Sequence, residues 1–66
     1  MTEIVAVVTG ERKYNYTADD VFNIFGKYDA DLIDECGSKS FFKLPELYYE
    51  EFREEMRVAG FYVEKE

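Results

Sequence analysis

"LPELYYEEFREEMRVAG", residues 44–60, lies between two apolar runs, "SFFKL" (40–44) and "FYVEK" (61–65). At about 100° per residue, Tyr48, Tyr49, Phe52, Met56 and Ala59 fall within about 100° of one another. That stripe predicts a helix packed on a sheet. Pro45 suits the first helical position, where its missing N–H is no loss, and Gly60 suits the end. The flanking runs read as strands, so this end of the chain reads strand–helix–strand.

Toward the N-terminus, "EIVAVV" (3–8) is a β-branched run with neither face polar, the pattern of a central strand. Gly10 offers a turn, and "RKYNY" (12–16) alternates well enough for a short second strand or an extended arm. Arg12 and Lys13 beside Tyr14 and Tyr16 read as a polar turn with flanking tyrosines. "YTADDVFNIFG" (16–26) reads as a helix. Thr17 is its N-cap, and Asp19 and Asp20 lie in the first turn, where the helix dipole favours anions. Tyr16 is placed to pack on Val21, Val21, Phe22, Ile24 and Phe25 form the apolar face, and Gly26 terminates it. "DADLIDECG" (29–37) repeats the grammar in shorter form: Asp29 caps, Leu32, Ile33 and Cys36 face inward, Gly37 ends. The order β-(β)-α-α-β-α-β describes one α+β domain over 1–66. It predicts a small single-layer antiparallel or mixed sheet, about three strands, packed by two or three helices.

Sixty-six residues from Met1 read as a single domain and a complete gene product. A chain of this length buries only about 60% of its unfolded surface and usually needs reinforcement. Cys36 is the only cysteine and there is no histidine, so neither a disulfide nor a structural zinc site supplies it. Six Phe and six Tyr are the remaining resource, each able to bury about 150–250 Å². Oligomerisation is the other route, and both a monomer and a homodimer fit the sequence. The longest apolar run, Ile4 to Val8, is far short of a membrane span and no signal-peptide pattern precedes it. The expectation is a cytoplasmic protein with Cys36 reduced and in the core.

Fifteen acidic against eight basic residues give a net charge of −7. That opposes binding to a phosphate backbone and favours attraction to basic surfaces. In the 44–60 helix, Glu46, Glu50 and Glu54 follow at i, i+4 spacing opposite the apolar stripe, with Glu51 and Glu55 toward one edge. Such like charges repel by a few tenths of a kcal/mol, and Arg53 and Arg57 offset part of this. A solvated face is the plain reading. Two details favour a partner-binding face instead. Leu47 and Val58 project from the acidic side, and glutamates four apart stand about 6 Å apart along the axis, a spacing comparable to successive phosphates. A second acidic group comprises Asp19, Asp20, Asp29, Asp31, Asp34 and Glu35. Its likeness to a calcium loop fails where the third ligand would be Ile33 and the required glycine is Asp34. Caps and solvated surface explain most of it, with Asp31, Asp34 and Glu35 able to extend a negative interaction surface. Without histidine, a nucleophile–base pair or a glycine-rich phosphate loop, the chain does not read as an enzyme and implies no cofactor or metal.

Two family resemblances follow. "YTADDVFNIFG" resembles the first helix of small excisionase-type winged-helix DNA binders, with "DADLIDECG" where the recognition helix would sit. That segment carries four acids and no base, whereas groove readers need Arg, Lys, Asn or Gln. The resemblance therefore implies a degenerate winged-helix-like regulatory protein acting through protein–protein contacts. In size and charge, over the whole chain rather than in a motif, the protein resembles small acidic phage-encoded inhibitors of the DNA-mimic type, anti-CRISPR and anti-restriction proteins. That resemblance implies an inhibitor binding a basic, nucleic-acid-binding protein or complex in a bacterial host, a CRISPR effector subunit being one such target, with no direct nucleic-acid binding. Carboxylates of Glu46, Glu50, Glu51, Glu54 and Glu55, with Asp31, Asp34 and Glu35, would pair with the target's Lys and Arg. Leu47 and Val58 would add desolvated contacts.

Overall fold

The structure, a computed structural model, describes residues 2–66. Four strands, β1 (Glu3–Gly10), β2 (Asp31–Cys36), β3 (Lys39–Pro45) and β4 (Phe61–Lys65), and two helices, α1 (Ala18–Lys27) and α2 (Tyr49–Val58), follow in the order β1-α1-β2-β3-α2-β4. The sheet order is β2-β3-β1-β4, antiparallel throughout. The α+β class holds, with four strands rather than three. β1 is central, as its two apolar faces predict.

One face of the sheet carries the core. Ala6 and Val8 of β1, Phe42 and Leu44 of β3 and Val63 of β4 are buried together with Val21 and Ile24 of α1 and Tyr49, Phe52 and Met56 of α2. The predicted stripe of α2 is therefore the buried one, and Phe52, Met56 and Ala59 are wholly inaccessible. Phe52 stands among the rings of Phe25, Tyr28 and Phe42, with centroids 6.1–6.4 Å apart. Aromatic packing of this kind supplies reinforcement that a single free cysteine does not. The other sheet face, with Val5, Val7 and Phe41 half-buried, has no helix over it.

α1 begins as its sequence predicts. Thr17 Oγ1 accepts from the Asp20 N–H (3.1 Å), and the Asp20 carboxylate accepts from the Thr17 N–H (2.9 Å), a reciprocal capping box. Its end differs. The helix runs through Gly26 to Lys27, and Asp29 takes φ 54. The Asp29 N–H donates to the Gly26 carbonyl and the Ala30 N–H to that of Phe25, a Schellman closure with Asp in the left-handed position.

Residues 29–37, expected as a second helix, are instead the end of that closure, strand β2, and the start of a turn. Gly37 (φ 63) and Ser38 form a two-residue hairpin link, with Cys36 opposite Lys39. A glycine at its first central position suits a type II′ turn. Leu32, Ile33 and Cys36, expected to face inward, are all exposed. Phe22, expected on the apolar face of α1, is 63% exposed. The segment that a winged-helix reading would make its recognition helix is thus a strand. Residues 12–16 form no strand but a loop, closed by Tyr16 N–H to the Lys13 carbonyl and tied to α2 by Lys13 N–H to the Ala59 carbonyl. Pro45 is the last residue of β3, and a 3-10 turn, Glu46–Tyr48, separates it from α2.

Candidate partner-binding surface

α2 buries one side against the sheet, so its other side must carry what remains of its sequence: Glu50, Glu51, Arg53, Glu54, Arg57 and Val58 are exposed. Leu47, in the turn before it, is 77% exposed and Val58 is 46% exposed. Both side chains expected as apolar contact points are thus exposed. By helical angle Glu51, Glu54 and Val58 lie within about 60° of one another and form one ridge of α2, and Leu47 precedes it in the 3-10 turn.

The charges on this side are less free than their number suggests. Glu46 lies 3.9 Å from Lys65 of β4, and Glu50 lies 4.0 Å from Arg53. Glu54 accepts from both Arg57 Nε, at 3.2 Å, and Arg57 Nη2; hydrogen bonding to that guanidinium holds the Glu54 carboxyl below its ordinary 4.5. Glu55 turns toward α1, where its Oε1 accepts from Lys27 Nζ at 3.3 Å. Among the described residues only Glu51 of the five has no ion-pair partner within 4 Å. All four pairs are largely exposed. Pairs of that kind contribute about 0–1 kcal/mol, so a partner's Lys or Arg can exchange with the internal base at small cost.

Glu55 also fills the junction of the helices. Its carboxylate, as hydrogen-bond acceptor, is the main reason the Lys27 ammonium and the Tyr28 phenol are both held above their ordinary values. Glu55 Oε2 is buried and meets no donor in hydrogen-bonding geometry among the described residues. Tyr16, Asp20, Ile24, Glu54, Glu55 and Val58 line a shallow groove of about 380 Å³ between the helices. Val58 thus belongs to the groove as well as to the ridge.

Asp31, Asp34 and Glu35 lie on β2, not on a helix, and β2 is a sheet edge. All six of its residues are exposed. The three acids have no ion-pair partner within 4 Å among the described residues. Asp31 and Asp34 stand opposite Lys43 and Phe41, on the sheet face away from the helices, and Glu35 stands opposite Ser40 on the other face. The structure therefore does not gather the expected residues into one patch. It divides them into an exposed α2 side whose acids are mostly ion-paired and a β2 edge whose acids form no ion pair within 4 Å among the described residues. Phe22, Leu32 and Ile33, which the sequence reading placed inward, join the exposed set beside β2. The two-residue "GS" between two apolar-containing runs was the signal for a hairpin there.

Among the described residues no cluster of three or more acidic or thiol groups is arranged to hold a metal ion. No described helix is long and apolar enough to cross a membrane. Compared with protein-family models, with curated proteins and with solved structures, the chain matches none.

Proposed function

We propose that the protein is a small acidic protein-interaction module that inhibits by occupying the nucleic-acid-binding surface of a host defence complex, in the manner of an anti-CRISPR DNA mimic. The observation that carries this reading is the exposed side of α2 and of the turn leading into it: Leu47, 77% exposed, Glu51, which has no ion pair among the described residues, and Glu54, whose pair with Arg57 is exposed. Folding alone does not require an exposed leucine among carboxylates. A basic groove offers both halves of a match, charge for the glutamates and a dry contact for Leu47. Charge complementarity would speed encounter and align the two surfaces, while the leucine, once desolvated, would supply much of the affinity.

The test is displacement of a fluorescent duplex from a panel of purified CRISPR effector complexes, compared at low and raised salt. The reading expects one complex to release its duplex, less so at raised salt, with Leu47→Asp and the double change Glu51→Lys/Glu54→Lys each weakening release about tenfold or more. A panel in which no complex releases its duplex, or release indifferent to both variants, would overturn it.

A further inference from the structure

The sheet has two open edges, β2 and β4, and they differ. The register of β2 slips between Leu32 and Asp34, and its charged residues are all acids. β4 pairs with β1 over Phe61–Lys65 without a slip and contains no proline. The Glu66 N–H donates inward to the Val5 carbonyl, so by alternation Tyr62 and Glu64 also spend their backbone groups on β1. Phe61, Val63 and Lys65 then point both N–H and C=O to the free side. The Val63 carbonyl there is covered by Arg53 Nε at 3.3 Å.

This row of groups is its own complement. An antiparallel copy centred on Val63 sets Val63 opposite Val63 and Phe61 opposite Lys65, so outward donors meet outward acceptors all along the strand. On the helix-free face Tyr62, 58% exposed, falls opposite Glu64 of the copy, a carboxylate with no ion pair among the described residues. The surroundings are neutral although the chain carries −7. A groove of about 400 Å³ along β4 is lined by Glu50 and Glu64 but also by Arg53 and Lys65. A copy meeting β2 would instead bring Asp31, Asp34 and Glu35 against the same acids. The helices fit as well: packed helices lie about 8–10 Å apart and strands about 4.8 Å, so doubling the sheet keeps the spacing of α1 and α2.

We infer that β4 is a homodimerisation edge, joining two copies into one continuous sheet about a twofold axis at Val63. Arg53 lies beside that axis and opposes pairing twice, by holding the Val63 carbonyl and by facing its own copy. The dimer is therefore weak and concentration-dependent. It does not rest on the inhibitor reading, because Glu51, Glu54 and Val58 lie at least about 100° around α2 from Arg53 and stay free.

The test is sedimentation velocity of the full chain from about 10 μM to about 1 mM, at low and raised salt, with amide hydrogen exchange at both ends of the range. The expected result is a monomer–dimer equilibrium strengthened by salt, since two copies of like net charge repel. The amides of Phe61, Val63 and Lys65 should gain protection only at high concentration. Lys65→Pro removes an outward N–H that its own chain does not use and should weaken the dimer about tenfold. Tyr62→Lys, facing Glu64 of the copy, should tighten it and Tyr62→Glu weaken it, each about fivefold. Both positions are exposed, and melting curves verify that the variants fold. A chain that sediments as a monomer throughout would overturn the inference. So would protection that falls on β2, or a dimer indifferent to all three substitutions. Duplex displacement, tested by Leu47→Asp, stands or fails separately.

Discussion

Gly60 lies against the backbone of Glu11, so closely that a Cβ on Gly60 would collide with the Glu11 carbonyl oxygen. The same residue holds φ 109, outside the range that L side chains adopt easily. It joins α2 to β4, and the neighbouring Lys13 N–H bonds to the Ala59 carbonyl at 2.8 Å. Gly60→Ala therefore meets both a forbidden conformation and a backbone that cannot withdraw. A loss of at least about 2 kcal/mol is expected, read as a lowered urea midpoint with unchanged slope. A variant as stable as the parent would contradict this close approach.

Phe52 is wholly buried and touches three other aromatic rings. Truncating a buried Phe to Ala costs about 3–5 kcal/mol. A chain of this length has roughly 3–10 kcal/mol in total. Phe52→Ala should leave a substantial unfolded population at room temperature, seen as collapsed near-ultraviolet dichroism and amide dispersion. Phe22→Ala, at the open end of the same aromatic chain, should cost well under half as much.

Asp29→Gly separates the two accounts of residue 29. As the left-handed residue closing α1, Asp29 is replaced by the amino acid that takes φ 54 most readily, and a gain of up to about 1 kcal/mol is expected. As an N-cap it would instead lose a few tenths of a kcal/mol. Thermal midpoints of the pair decide the sign.

Arg53 Nε donates to the Val63 carbonyl at 3.3 Å. The Glu66 N–H points inward to Val5 of β1, so by alternation the Val63 carbonyl points to the free edge of β4. Arg53 thus covers a backbone acceptor that another strand could use. Arg53→Met should raise self-association with little change in the monomer's fold. Sedimentation at increasing concentration measures it, and a strictly monomeric variant would show that the edge needs no cover.

The pH response should be flat through neutrality and fall on the alkaline side. Lys27 is held above 10.5, chiefly by hydrogen bonding to Glu55, and Tyr28 above 10.0 by the same carboxylate and then by burial. Burial also raises Tyr49 above 10.0. A folded-state value above the unfolded one gives stability fully present below the unfolded value and lost as pH rises through the folded one. Stability should therefore decline above about pH 10, and Tyr28→Phe should reduce the slope of that decline. On the acid side Glu54, held below 4.5 by Arg57, contributes stability lost as pH falls below that value. Urea midpoints across the pH range check both limbs.

Much of the candidate surface was legible because exposure on a helix follows from angle alone. Once Phe52 and Met56 face the sheet, Glu51, Glu54 and Val58 cannot. The pairing of those glutamates was legible only in part. Arg53 and Arg57 are three residues away along the helix, but Lys27 and Lys65 reach Glu55 and Glu46 from other elements. The exposure of Leu32 and Ile33 was not legible at all, because residues 29–37 carry the end signals of a helix, an Asp before and a Gly after. A six-residue segment is too short for periodicity to tell helix from strand.

What the sequence by itself determined is therefore local or periodic: the Thr17 cap, the buried stripe of α2, the central position of β1 and the acidic balance. These depend on neighbours three or four places apart or on alternation within one run. Tertiary structure alone decided that "DLIDEC" is a strand, since its ladder partners lie on β3 across a two-residue turn. That pairing also brought Leu32 opposite Phe42 and left it half open, and it exposed three acids on a sheet edge. A short isolated helix is marginal in water, and cross-strand bonds with β3 were available to residues 31–36, so the competition was settled by contacts that the local sequence does not contain.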